Sequence, residues 1–326
     1  MKRRLNFVFI GCGPIARQHA DVVRYLGHHI EAAVARTKSA RLDDFAKEYR
    51  VSHKVMGIKD FLNVYRRGGL KADCIVVCTP WDVNAKVLQS VLPLGLPVMV
   101  EKPAVLSSRA LRALGQKGGL KNVFVAYNRR FYDFVPYLKS LVQKQRPICV
   151  DVLSAEPLQI LKKNCGVRVA RFMPQFYTSH VIDLLFFLFG HIRIRGGQRI
   201  PKDGGYSWVG ALDVPRSDCP IQLKILMDCP QNSYIKFYFR DKVAQMLPYE
   251  CLSVFQGIER MEDRGKVVYQ PKLIHSVQTG SEFKPGFLKQ MKYFILNFVH
   301  KRNGSSFHME ELKKVTRLCE ELSAQR

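Results

Sequence analysis

The sequence has no apolar segment long enough to span a lipid bilayer. The densest apolar run, residues 184–189, is far shorter than the roughly 18 residues that identify a transmembrane helix. The basic start Met1-Lys2-Arg3-Arg4 resembles a signal peptide. The apolar stretch after it, residues 5–10, is shorter than the roughly 7–15 residues of such signals, and Asn6 interrupts it. We therefore expect a cytoplasmic protein without a membrane partner.

Paired cysteines are also missing. The nine cysteines include no C-x-x-C pair and their number is odd, so the pattern indicates reduced thiols and no metal site. Acidic residues are few, 27 against 52 Lys and Arg, and the net charge is +25. The Lys and Arg residues form no run of five or more, which argues against a nucleic-acid partner. Two interpretations stay open: a generally basic surface, and a preference for phosphorylated substrates or cofactors.

What the sequence does contain is a dinucleotide-binding fingerprint at its start. The apolar residues 5–10 run into a G-x-G-x-x-A turn, and a helical pattern follows. Gly11 allows the tight turn, Gly13 lets the backbone approach a pyrophosphate, and Ala16 keeps the helix close to the strand. The helix N-terminus offers unpaired N–H groups and a partial positive charge to phosphates. The predicted cofactor-binding residues of this segment are Gly11, Gly13, Pro14, Ile15 and Ala16.

The order of the predicted elements indicates an α/β fold with two domains. Residues 1–123 alternate apolar strands with helices, which predicts a doubly wound parallel sheet of the Rossmann type. The pattern changes in residues 124–326. There a strongly apolar helix ends at Gly190, and alternating segments predict an antiparallel or mixed sheet with one buried face. Closing helices at 287–300 and 309–322 are joined by a predicted turn at Asn303-Gly304-Ser305.

The end of the second predicted strand carries no carboxylate. About 20 residues after the glycine turn, an acidic residue would bind the ribose 2′-OH of NAD. The chain reads Arg36-Thr37-Lys38 there. A guanidinium and a hydroxyl suit a 2′-phosphate through charge-assisted hydrogen bonds. The segment therefore favours NADP over NAD, the alternative being a solvated basic turn.

Two further strand ends are expected to face the cofactor, because ligands of doubly wound sheets bind outside the carboxyl ends of the strands. Cys78-Thr79-Pro80 ends one buried strand and should border the nicotinamide side, and Glu101-Lys102-Pro103 follows another. A lysine at such a place can hydrogen-bond a substrate hydroxyl and stabilise a developing alkoxide. We predict that Cys78, Thr79, Pro80 and Glu101 bind the cofactor. For Lys102 a catalytic role and an ordinary surface position are both open.

Taken together, the motifs resemble those of the Gfo/Idh/MocA family, which includes glucose–fructose oxidoreductase and inositol dehydrogenase-like enzymes. The segments that carry the resemblance are residues 11–19, 78–80, 101–103, 127–131 and 179–183. The resemblance implies a dinucleotide-binding domain over 1–123. It also implies a substrate-binding and dimerisation domain over 124–326, with an open, mixed, mainly antiparallel sheet. It further implies NAD(P)-dependent hydride transfer on a sugar or nucleotide sugar, a homodimer or higher homo-oligomer, and a loose link to surface-polysaccharide biosynthesis.

The resemblance also assigns roles to single residues. By position, Lys102 is similar to the family's substrate-binding and catalytic lysine, and His180 to its acid/base histidine. His180 and Asp183 stand at i and i+3 of the predicted apolar helix, so they share one face. Asn128 and Arg129 follow the last strand of the first domain, where either an anionic substrate group or a solvated hinge is expected. The predicted substrate-binding residues are Lys102, Asn128, Arg129, Tyr177, His180 and Asp183.

Two departures from the family pattern leave a second function open. Phe176 stands where many members carry an aspartate four residues before the histidine, and Asn84 stands where a histidine is common. Tyr177 or the His180–Asp183 pair would then carry the proton. The alternative is a catalytically inactive, dinucleotide-binding regulatory protein of the same fold.

The basic segment after the second strand leads to a test of cofactor choice. Removing a hydrogen bond to a charged group costs about 1.5–3 kcal/mol, which is roughly 10- to 150-fold in affinity. We expect Arg36→Ala to weaken NADPH binding by that factor and to leave NADH binding nearly unchanged. Titration of both cofactors against the native protein and the variant measures this. Equal affinity of the native protein for NADH and NADPH would contradict the 2′-phosphate interpretation.

Overall fold

The computed structural model describes residues 3–116, 120–215, 217–280, 282–300 and 306–324. The chain divides into two compact units. The first comprises Met1–Phe131 and Ser281–Arg317, and the second Tyr132–Gly280 and Leu318–Arg326. The segment Ser281–Arg317 therefore packs with the first unit, although the predicted second domain, 124–326, included it. The roles given to ranges 1–123 and 124–326 stay predictions. The predicted turn at Asn303-Gly304-Ser305 lies outside the described residues.

The first unit is built on a six-stranded parallel sheet. Its strands are β1 (Asn6–Ile10), β2 (His29–Ala35), β3 (His53–Met56), β4 (Cys74–Val77), β5 (Val98–Val100) and β6 (Val123–Val125), in the order β3-β2-β1-β4-β5-β6. The connecting helices are α1 (Pro14–Tyr25), α2 (Ala40–Tyr49), α3 (Ile58–Arg66), α4 (Asn84–Val91) and α5 (Ser108–Gln116). Strands β4 and β5 are buried at every residue, as expected when both faces of a sheet are covered. The strand order reverses between β1 and β4, and ligands of such sheets bind at this switch point. The predicted Rossmann sheet is confirmed.

The second unit carries an eight-stranded sheet. Its elements are α6 (Val135–Gln145), β7 (Cys149–Glu156), α7 (Leu158–Cys165), a 3₁₀ segment (Val167–Gln175), α8 (Thr178–Phe189), β8 (Arg193–Lys202), β9 (Gly205–Asp213), β10 (Pro220–Met227), β11 (Tyr234–Tyr238), β12 (Lys242–Met246), β13 (Cys251–Asp263) and β14 (Lys266–Gln278). The strand order is β14-β13-β12-β11-β7-β10-β9-β8, and β7 with β10 is the parallel pair among antiparallel ones. The predicted open, mixed, mainly antiparallel sheet is confirmed. Among the described helices, the strongly apolar α8 included, none is long and apolar enough to cross a membrane.

The late segment of the first unit completes the core of that unit with aromatic side chains. It consists of α9 (Phe287–Phe294), a π-helical turn (Ile295–Val299) and the part of α10 (Ser306–Ala324) that ends at Arg317. The ring of Phe287 stacks on His19 of α1, with 4.5 Å between the ring centroids. Phe294 and Phe298 contact Phe124 of β6 at 6.0 and 5.4 Å. The predicted helix over 287–300 is therefore an α-helix that widens into a π-turn where its side chains meet β6.

Two glycines in the second sheet make room for a tryptophan. Trp208 of β9 is fully buried, and a Cβ built on Gly197 of β8 would lie 2.2 Å from its ring. A Cβ on Gly210 of β9 would lie 2.3 Å from the Gly196 carbonyl oxygen and 2.5 Å from the Gly197 Cα. The two contacts of a Cβ on Gly210 would be with backbone atoms, which cannot rotate away as a side chain can.

This packing predicts the effect of two neighbouring substitutions. Overpacking of a core typically costs about 1–3 kcal/mol, so Gly210→Ala should lower the free energy of unfolding by at least about that amount. Gly196→Ala is the matched control, because a Cβ there would meet nothing within 4 Å. Urea unfolding of the native protein and both variants measures the difference. Equal stability of the two variants would show that the backbone contact at Gly210 is not restrictive.

Candidate functional site

The glycine turn presses the end of β1 against the end of β4. Gly11 has a φ of 98°, in the left-handed region, and its N–H donates to the Val34 carbonyl at 2.8 Å. A Cβ on Gly11 would lie only 2.4 Å from the Cys78 carbonyl oxygen. Gly13 is different, since its φ is −78° and a Cβ there would meet nothing within 4 Å. The first glycine is thus required by the protein's own packing, and the second borders open space.

The N-terminus of α1 lies beside that open space. Gly13 is its N-cap residue and Pro14 its first residue. Among the described side chains none caps this end, and the first turn contains no acidic residue. The positive end of the helix dipole is therefore available to an anion. Ala16 is fully buried and Ile15 is half-buried. The turn fits the pyrophosphate of a dinucleotide, because a side chain at residue 13 would fill the space that the phosphates need.

The basic segment Arg36-Thr37-Lys38 follows β2, which pairs with β1 in parallel register. All three side chains are exposed, and within the described part of the chain they make no hydrogen bond or ion pair with protein groups. Ser39, the next residue, caps α2 by accepting a hydrogen bond from Leu42 N–H at 3.3 Å. Arg36 and Lys38 thus lie at the same carboxyl edge of the sheet as the glycine turn. They come shortly before the N-terminus of α2.

Asn84 joins the two predicted strand-end loops. Its side chain is buried, and it accepts a hydrogen bond from the Thr79 hydroxyl at 2.6 Å. Its amide nitrogen donates to the carbonyls of Glu101 at 3.1 Å and of Pro103 at 3.0 Å. The loop after β4 and the loop after β5 are therefore held together by one side chain. In the sequence Asn84 stands out only as a departure from the family pattern, and its role depends on contacts that no local pattern indicates.

Glu101 pairs with a histidine that sequence analysis did not single out as functional. His19 of α1 donates from Nε2 to Glu101 Oε1 at 2.8 Å, and both side chains are buried. Burial opposes ionisation of Glu101. The hydrogen bond from His19 and the positive charges of His19, Lys102 and Lys284 outweigh it and hold the pKa of this carboxyl below its ordinary value. The carboxylate is therefore ionised at neutral pH.

The two cysteines next to this site are not activated thiols. Burial raises the pKa of Cys12 to about 11 and that of Cys78 well above its ordinary value, so both stay protonated. With its side chain buried, Cys78 presents backbone rather than sulfur to a cofactor, and Pro80 beyond it is exposed. In the described part of the chain no three His, Cys, Asp or Glu side chains come together as a metal site requires.

Asn128 and Arg129 are bound into the first unit. Asn128 is buried and donates from its amide to the Pro285 carbonyl at 2.9 Å, and Arg129 is buried as well. The adjacent Arg130 pairs with Glu311 at 2.6 Å, both nearly buried. Asn128 thus ties the segment after β6, the last strand of this sheet, to the late segment of the unit. The predicted substrate role of Asn128 and Arg129 stays a prediction.

In the second unit the predicted residues gather at the start of α8. His180 and Asp183 are buried, and Tyr177 is 38% exposed. The fully buried Glu156, at the end of β7, accepts a hydrogen bond from Thr178 N–H at 2.8 Å and another from its hydroxyl. A carboxylate at this end of a helix is favourable for the dipole. The first turn of α8, and with it His180, is therefore fixed to the sheet.

The comparison with protein families agrees with this geometry. Residues 5–128 match the model of a family described as "Oxidoreductase family, NAD-binding Rossmann fold". Residues 5–128 are similar to the Gfo/Idh/MocA family. The matched range contains the glycine turn, the basic segment after β2, Asn84, Glu101 and Lys102. The predicted resemblance is confirmed, and the matched range is that of an NAD-binding Rossmann domain.

Relatives of this family extend the similarity beyond the matched range. Inositol 2-dehydrogenase of Rhizobium meliloti is 24% identical over 57% of this chain and 55% of its own length. The structure of UDP-N-acetylglucosamine 3-dehydrogenase from Acidithiobacillus ferrooxidans aligns with a TM-score of 0.73 and 14% identity, covering 98% of this chain and 97% of that one. A 3-ketoreductase from Actinomadura kijaniata in complex with NADP aligns with a TM-score of 0.72 and 12% identity, covering 98% and 96%. The chain spans about half the length of the first curated relatives it matches, and the structural likeness shows the shared fold.

The two glycines of the Gfo/Idh/MocA fingerprint should respond differently to alanine. We expect Gly13→Ala to weaken NADPH binding by at least about 10-fold, because its Cβ occupies the space of the pyrophosphate. Its free energy of unfolding should change by less than about 0.5 kcal/mol, since the Cβ meets no protein atom. Gly11→Ala should instead lower stability, because its Cβ collides with the Cys78 carbonyl. Cofactor titration and urea unfolding separate the two effects, and unaltered NADPH binding by Gly13→Ala would contradict the site.

Proposed function

We propose that the protein is an NADP(H)-preferring oxidoreductase that transfers a hydride to or from a hydroxyl or carbonyl carbon of a sugar or nucleotide sugar. The observation that carries the proposal is the open space at Gly13 beside the uncapped N-terminus of α1. Bound there, a nicotinamide dinucleotide supplies the hydride donor or acceptor. The residues of the chain bind and orient it and move the proton.

The preference for NADP over NAD rests on Arg36, Thr37 and Lys38. Their exposed side chains stand where an acidic residue would repel a 2′-phosphate. The guanidinium of Arg36 can bind that dianion through two parallel hydrogen bonds. The solved relative from Actinomadura kijaniata holds NADP, which supports the choice.

Lys102 and His180 take the chemical roles in this proposal. Lys102 follows β5 at the carboxyl edge of the first sheet, and its backbone N–H is held by Glu101 Oε2 at 3.2 Å. Its ammonium group binds the reacting oxygen and stabilises negative charge that develops there. His180, in the first turn of α8, exchanges the proton, and Asp183 one turn later supports it. Tyr177, exposed just before α8, contacts the substrate.

The charge of the 3₁₀ segment before α8 supports an anionic substrate such as a nucleotide sugar. This segment buries Val169 and Met173, which leaves its arginines, Arg168 and Arg171, exposed. Lys163 on α7 is exposed as well. The solved relative from Acidithiobacillus ferrooxidans is named for a UDP-sugar. We extend the proposal to a role in surface-polysaccharide biosynthesis, where such substrates are consumed.

We also propose a cytoplasmic homodimer that uses the open sheet of the second unit. The hairpin of β13 and β14 lies at the edge of that sheet and exposes apolar side chains. Ile258 is 74% exposed and Tyr269 is 69% exposed. Exposed apolar groups on an edge hairpin are typical of an interaction surface.

The second candidate function is a regulatory protein that binds the dinucleotide without turning it over. The observation that favours it is Phe176, which is buried where many family members carry an aspartate. The two functions are separated by incubating the protein with NADPH or NADP and a panel of sugars and nucleotide sugars. Absorbance of the reduced nicotinamide reports turnover. Turnover of any member would exclude the regulatory function, and tight cofactor binding without turnover would favour it.

Lys102→Ala is the sharpest test of the enzymatic function. Loss of a positioned acid/base or electrostatic group lowers kcat by about 10²-fold or more, so we expect that decrease. Lys71→Ala is the control, because Lys71 is exposed and precedes β4, at the opposite edge of the sheet. Turnover is measured with the substrate found in the panel. A native kcat in Lys102→Ala would remove this lysine from the mechanism.

A further inference from the structure

His19 occupies a position on α1 that is otherwise apolar. Its side chain is 1% exposed, and Ala16, Ala20 and Val23 on the same buried face are fully buried. One side of its ring stacks on Phe287, with an angle of 18° between the ring planes. A polar ring buried to this extent needs a hydrogen-bond partner. The partner is Glu101, which lies beyond the end of β5.

The two carboxylate oxygens of Glu101 bind different partners. Oε1 accepts from His19, and Oε2 accepts from the backbone N–H of Lys102 at 3.2 Å. The backbone N–H of Glu101 itself donates to the Val77 carbonyl of β4 at 2.9 Å. The carboxylate therefore links helix α1 directly to the main chain of Lys102, and its rotation is restrained at both oxygens.

The bond between His19 and Glu101 is a charge-assisted one. The same hydrogen bond helps to hold the pKa of Glu101 low, so the acceptor is a carboxylate. Hydrogen bonds to an ionised group are shorter and stronger than neutral ones. Without His19, the carboxylate would be left buried with one oxygen unpaired, and it would rotate or draw in water. Either change would release the N–H of Lys102.

From this chain of contacts we infer that His19 is a positioning residue for Lys102. It fixes the Glu101 carboxylate, which fixes the loop that carries the lysine. His19 lies on the helix whose N-terminus faces the proposed pyrophosphate site, so the lysine and the cofactor site share one rigid support. The inference rests on the proposed function, because it gives Lys102 the catalytic role defined there.

A purely structural role for His19 makes a different prediction. In that case its loss would weaken the packing of α1 on α9, and the whole first unit would open more easily. A positioning role confines the effect to the loop after β5. Amide hydrogen exchange distinguishes the two, because it reports local opening segment by segment.

The test compares three variants by hydrogen exchange of the full-length protein. His19→Phe keeps a ring on Phe287 and removes the donor, and we expect exchange of the backbone amides of Glu101 and Lys102 to accelerate by about 10-fold or more. His19→Gln, which keeps an amide donor, should restore part of the protection. Phe287→Leu is the matched control, because it removes the stacked ring and keeps the bond to Glu101. Exchange in β2, in the same sheet, should stay unchanged in all three.

Three outcomes would overturn the inference. The first is unchanged exchange at the amides of Glu101 and Lys102 in His19→Phe, and the second is equal acceleration in Phe287→Leu. The third is acceleration across the whole first unit. If His19→Phe does not fold, the comparison of His19→Gln with Phe287→Leu decides. A loop that stays protected in His19→Gln but loses its protection in Phe287→Leu would show that ring packing holds the loop, which would contradict the inference.

A second measurement connects the loop to the chemistry. With the substrate from the panel, His19→Phe should lower kcat by about 10-fold while the NADPH dissociation constant changes by less than about 3-fold. In a Lys102→Ala background the same substitution should have no further effect on kcat, because both act through one group. If the two substitutions instead lowered kcat by factors that multiply, His19 would act independently of Lys102, and this would contradict the positioning role. A Lys102→Ala protein with native kcat would instead refute the proposed function, and the exchange experiment would still judge the role of His19.

Discussion

The first unit depends on the close approach of two strand ends, where backbone meets backbone with no side chain between them. The turn at Gly11 lies against the carbonyl of Cys78, so the ends of β1 and β4 have one relative position. That position directs α1 across the sheet and exposes its N-terminus at the switch point. The loops that follow β4 and β5 are then joined by Asn84, and the loop after β5 is joined to α1 by Glu101.

Local patterns were sufficient for the fold and for the strand-end position of part of the candidate site. The apolar run before Gly11 and the G-x-G-x-x-A spacing predict a strand, a turn and a helix within a few residues of one another. Strand-end residues such as Thr79 and Lys102 followed from the rule that ligands bind at the carboxyl edge of a parallel sheet. The mixed sheet of the second unit followed from alternating apolar residues, because alternation directly reports one buried face.

What could not be predicted depends on pairs that are distant in the chain. Periodicity shows that one face of α1 is buried, but it does not show that His19 on that face meets Glu101. The same applies to Asn128, whose amide binds the carbonyl of Pro285, and to the return of α9 to the first unit. The substrate role predicted for Asn128 stays a prediction, and no local pattern indicates the hydrogen bond that its amide makes.

The return of α9 has a consequence for how the chain folds as it is synthesised. Phe124 of β6 leaves the ribosome long before Phe294 and Phe298, the rings that cover it. All eight strands of the second sheet are translated in between. Domains generally fold as they emerge, at about 5–20 residues per second. The first 131 residues are therefore complete before the rings that cover Phe124 have been made.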